Sequence, residues 1–131
     1  MFREINRLIL MSAPKHEVKL IAPGTFQELY NQPSLVVWSG ASDASIFDDP
    51  SVNWAFRALH DALHLKTRIG FSPAEEIEIG RIQAAQYSGL MADLVYIEVV
   101  RGAEYYLKTG GFILNQKEFT INELRKLGYK I

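Results

Sequence analysis

Cysteine is absent from the 131 residues, which excludes disulfides, thiolate zinc sites and cysteine nucleophiles within them. An excess of charge is missing too. With 14 basic and 15 acidic residues the net charge is −1, so no global field draws the chain to nucleic acid or to an anionic membrane. Apolar runs stay far short of the roughly 20 residues a membrane span needs. The start, Met1-Phe2-Arg3-Glu4, lacks the basic-then-apolar order of a signal peptide. A soluble, cytoplasmic protein is the expectation. No Gly-x-Ser-x-Gly elbow surrounds Ser39, Ser42 or Ser45, and no phosphate loop or dinucleotide fingerprint occurs. Histidine is scarce, with three in the chain.

What is present suits a globular protein. The hydrophobic share is 48% and the charged share 22%, enough at this length for one domain, residues 1–131, with its own core. Phe2, Ile5, Leu8 and Ile9 recur at helical spacing, and Pro14 closes that segment. Val18 to Ile21 reads as a brief strand ended by Pro23-Gly24. Thr25-Phe26-Gln27-Glu28 has the order of a capping box and opens a short helix through Tyr30. Leu35-Val36-Val37-Trp38 reads as a buried strand. Ser39 to Asp49, rich in Ser, Asp, Gly and Ala, is the one long irregular stretch, of a kind that is often functional.

Helices fill the remainder. Asp49 before Pro50 starts one that runs to about Lys66. Ser72-Pro73-Ala74-Glu75 starts a second, to about Ser88. Gly89 either kinks it or separates it from a third, about Leu90 to Lys108, which Thr109-Gly110-Gly111 stops. Thr120-Ile121-Asn122-Glu123 reads as a last capping box, and Gly128 ends its helix. The fold class expected is therefore mainly α: an antiparallel helical hairpin plus a long third helix, with a small N-terminal strand element.

Chemistry centres on His60-Asp61-Ala62-Leu63-His64. Residues four apart share a helix face, with Cβ atoms about 5–6 Å apart, the spacing at which two imidazoles share a metal ion. Val52, Phe56, Leu59 and Leu63 form an apolar stripe on the same helix. Its polar groups are confined to Asn53, Arg57, His60 and His64, with Asp61 beside them. Polar side chains buried without partners cost about 1–3 kcal/mol each, so something must face this stripe. Glu76, Gly80, Gln83 and Tyr87 lie on one face of the second helix. Glycine inside a helix costs roughly 0.8–1 kcal/mol against alanine, so close approach is expected at Gly80. The short connection Thr67–Phe71 predicts antiparallel neighbours, bringing Glu76 towards His60 and His64, with Gln83 deeper. Two imidazoles and a carboxylate would be three ligands for zinc, manganese or iron, with room for water. The alternative is a metal-free network of hydrogen-bonded histidines. Arg57 and Asp61 read as an ordinary ion pair, and His16 as an exposed turn residue.

The run Phe56 to His64, followed by Phe71 and Glu76, resembles a pattern in uncharacterised bacteriophage-encoded proteins: a His-Asp pair, a second histidine, a Phe and a downstream Glu. The resemblance covers about residues 52–83 and implies a phage origin with an unassigned role. The zinc-protease motif His-Glu-x-x-His fits less well, since Asp61 stands where its glutamate belongs. Two functions are expected to compete. One is a non-enzymatic protein-binding or regulatory module, with a host or phage protein as partner and a buried His/Glu network. The other is a divalent-metal hydrolase with His60, His64 and Glu76 as ligands and Asp61 or Gln83 orienting the water.

Overall fold

The computed structural model describes residues 2–41 and 45–131. Ser42 and Asp43 of the irregular stretch lie outside the described residues. The chain is mainly helical with a small two-stranded parallel sheet. It forms two compact units, Met1–Gly70 and Phe71–Ile131.

The first unit holds α1 (Arg3–Ser12), β1 (Glu17–Lys19), α2 (Phe26–Tyr30), β2 (Val36–Trp38) and α3 (Pro50–Thr67). Each boundary has a local cause. Thr25 accepts from the Glu28 amide and caps α2, and Asp49 accepts from the Ser51 amide ahead of Pro50 to cap α3. The expected strand Val18–Ile21 is displaced. Pairing runs Glu17 with Val36, Val18 with Val37 and Lys19 with Trp38, and Leu20 and Ile21 leave the sheet. Helices α1 and α2 and strand β2 pack on α3, whose Val52, Ala55, Phe56, Ala58 and Leu63 are buried together with Ile5, Ile9, Leu29, Val36 and Phe47. Phe47 lies against Phe56 with ring centroids 5.3 Å apart.

The second unit holds α4 (Pro73–Ala84), α5 (Gly89–Val95), a π-helical segment (Tyr96–Arg101), α6 (Gly102–Thr109) and α7 (Gln116–Lys126). The capping box at Ser72 is formed, its hydroxyl taking the Glu75 amide and donating to the Glu75 carboxylate at 2.7 Å. Helix α4 stops at Ala84, short of the expected Ser88. Tyr87 sits in the turn that follows, bonded through its amide to the Ala84 carbonyl, and burial raises its phenol pKa. Gly89, at φ +60, separates the next helix rather than kinking the last. From Gly89 to Thr109 the chain is helical without a break, and Gly110 ends it in the left-handed conformation.

The close approach at Gly80 is real, and its neighbour is the π segment. A Cβ there would lie 2.6 Å from Val100 Cγ2 and 2.8 Å from Val99 Cγ1. The last helix also starts earlier than expected. Its cap is Asn115, which accepts from the Glu118 amide, and Thr120 is a wholly buried residue inside it.

Candidate functional site: the histidine pair of helix α3

Helix α3 places His60 and His64 one turn apart, as the spacing predicted. Their rings meet edge to face, centroids 4.6 Å apart at 88°, and the two Nε2 atoms are 3.0 Å apart. His64 is wholly buried; His60 and Asp61 are half-buried.

How α3 ends sets which ring nitrogen of His64 donates. Arg68 takes the left-handed conformation at φ 61 and its amide caps on the His64 carbonyl. A non-glycine residue there costs roughly 1–2 kcal/mol, offset in part by the Arg68 guanidinium lying 5.5 Å from the centre of the Tyr30 ring. The reversal brings the Ile69 carbonyl to 2.7 Å from His64 Nδ1. Thr67 holds the turn in place, donating to the Leu63 carbonyl at 2.8 Å and accepting from the Ile69 amide at 3.3 Å. A carbonyl oxygen only accepts, so Nδ1 of His64 carries the proton. In the uncharged ring Nε2 is then the lone-pair atom, and it faces His60.

Arg57, on the same stripe, has a partner the sequence did not suggest. Its guanidinium donates to the carbonyls of Trp38, Gly40 and Ala41, at 2.5, 2.6 and 3.3 Å, and stacks 5.4 Å from the centre of the Trp38 ring. Trp54 donates to the Ser39 carbonyl. Together they hold the chain leaving β2. Gly40 permits this, since a Cβ there would overlap the Trp38 ring. His16 is half-buried rather than exposed, its Nδ1 2.8 Å from the Pro14 carbonyl.

Glu76 and Gln83 belong to the second unit. Glu76 is half-buried in the first turn of α4, and Gln83 is buried in its last. His60, His64 and Glu76 each offer a ligand atom of the kind that binds divalent cations. The second unit has a polar centre that sequence reasoning missed. Glu98, in the π segment, accepts from the Thr120 hydroxyl at 2.8 Å and from Gln116 at 3.1 Å. Its local signal is slight: Glu98 is the one acid within the apolar run Tyr96 to Val100. Near the C-terminus, Tyr129 donates to Asp93 at 2.6 Å, which raises the phenol pKa, chiefly through that hydrogen bond.

No helix among the described residues is long and apolar enough to cross a membrane. Comparison with protein-family models, with curated proteins and with solved structures finds no match.

Proposed function

We propose that this is a small, phage-type binding module, and that an extended segment of a host or phage protein adds to the outer edge of β1. The observation that supports this reading is the state of that strand. Two-stranded sheets are marginal in water and parallel ones are normally covered, yet Glu17, Val18 and Lys19 are all exposed. In the parallel ladder Glu17 and Lys19 bond to the β2 side. The amide and carbonyl of Val18 therefore point to the opposite edge, where no strand pairs among the described residues.

Past the end of β1, Leu20 and Ile21 are 85% and 87% exposed, and Trp38 of β2 is 49% exposed. With Ala22 and Pro23 they line an open cavity of about 340 Å³. An open edge beside apolar side chains suits strand addition, in which backbone bonds supply affinity and alternate side chains supply specificity. Burying each large aliphatic side chain contributes about 1.5–3 kcal/mol. The reading extends to the helices. The run over residues 52–83 supports the phage assignment.

The test is selection of peptides from a random displayed library on the purified chain. Selected peptides should alternate apolar and polar residues, shift the Val18 amide resonance, and lose binding to Leu20→Asp and Ile21→Asp. Selection unaffected by those substitutions would remove the strand-addition reading. Turnover of a phosphoester or peptide panel, abolished by His60→Ala, would replace it with the hydrolase.

A further inference from the structure

We propose that His60 and His64 share one divalent transition-metal ion through their Nε2 atoms, zinc being the ion that fits best. The site goes beyond the strand-addition reading and stands on different residues. Imidazole nitrogens lie about 2.0–2.1 Å from zinc. Two such ligands, at ligand–metal–ligand angles between a right angle and the tetrahedral value, are then about 2.9–3.4 Å apart. The pair stands at 3.0 Å already, so an ion could enter with little movement of either ring.

The turn after α3 supplies what a metal-binding histidine requires. A ligating imidazole almost always donates its other N–H to a carbonyl or carboxylate, which fixes the tautomer and raises the basicity of the ligand atom. His64 does so to Ile69 at 2.7 Å, and Thr67 fixes Ile69 by its two bonds. Without an ion, and with both rings uncharged, the Nε2–H of His60 occupies the space between the rings. With one, His60 carries that proton on Nδ1 instead, so both imidazoles stay neutral and no net proton is lost. His60 is half-buried, which leaves a route for the exchange. Thr67 is thus a positioning residue, acting through Ile69 on a ligand it does not touch.

The experiment uses the full chain without a histidine tag, titrated with Zn²⁺ alone by calorimetry and with Co²⁺ alone by visible absorption. Wild type should bind one ion per chain, with ligand-field bands of nitrogen coordination and perturbation of the His60 and His64 ring resonances. Because His64 is wholly buried, its removal could prevent folding, so His60→Gln and Thr67→Val serve as variants. His60→Gln should weaken binding by more than 100-fold, and Thr67→Val by about 10–100-fold, the usual effect of losing an outer-shell partner. No ion bound by folded wild type would overturn the proposal. So would binding unchanged in His60→Gln and Thr67→Val when both retain the wild-type circular dichroism spectrum.

Discussion

Replacing Gly80 by alanine should destabilise the protein, although alanine is the better helix former. Inside an unobstructed helix that exchange gains about 0.8–1 kcal/mol. At this position the new methyl would meet Val100 Cγ2 at 2.6 Å, Val99 Cγ1 at 2.8 Å and Val99 Cβ at 3.1 Å. Valine side chains in a helix are stiff at χ1, so neither branch swings aside, and overpacking of this kind costs about 1–3 kcal/mol. The difference predicts a net loss of about 1 kcal/mol, within a range of roughly 0–2. Urea unfolding followed by helical circular dichroism, extrapolated linearly to water, resolves a change of that size. Placing Gly80→Ala in a Val100→Ala background removes the nearest clash and should recover part of the loss, as a coupling of at least about 0.5 kcal/mol between contacting residues. A Gly80→Ala variant more stable than the parent by about 1 kcal/mol would show that the α4 face is open. The packing of α4 on the π segment would then be wrong.

Arg57→Ala should cost about 2 kcal/mol, since hydrogen bonds from a charged donor are worth about 1.5–3 kcal/mol and this guanidinium is half-exposed and joined to three carbonyls. Arg57→Lys should recover less than half of that in the same assay, because an ammonium lacks the planar fork; full recovery would refute the clamp. For Tyr129, the raised phenol pKa means its contribution is complete below the ordinary value of 10.0 and disappears as pH rises through the folded value. Wild type should therefore lose its stability advantage over Tyr129→Phe above about pH 10, and identical alkaline unfolding curves would sink that account.

Much of the helical frame was legible because its signals are local. Thr25, Asp49 and Ser72 cap the helices their side chains were expected to start, and each needs only an oxygen within reach of amides two or three residues on. The i, i+4 spacing brought His60 and His64 together for a similar reason, since both lie on one helix. Thr120 misled because two cap signals stand close together. Asn115 takes the Glu118 amide, and the hydroxyl of Thr120 is held by Glu98, a residue from another helix that no local pattern exposes.

The sequence by itself determined where α2, α3 and α4 begin, which face of α3 is apolar, and that two imidazoles stand one turn apart. These follow from backbone geometry and short-range hydrogen bonds, which act over a few residues. Only the tertiary structure decided what faces what within each unit. Gly80 meets Val99 and Val100 because α4 packs on the π segment that carries them. Arg57 reaches the carbonyls after β2 because α3 packs on that strand. The state of His64 was decided by the left-handed turn at Arg68, which swings one carbonyl back onto its ring. Nothing in the residue type at position 69 could reveal that bond, because every residue carries a carbonyl and the path of the chain alone aims it.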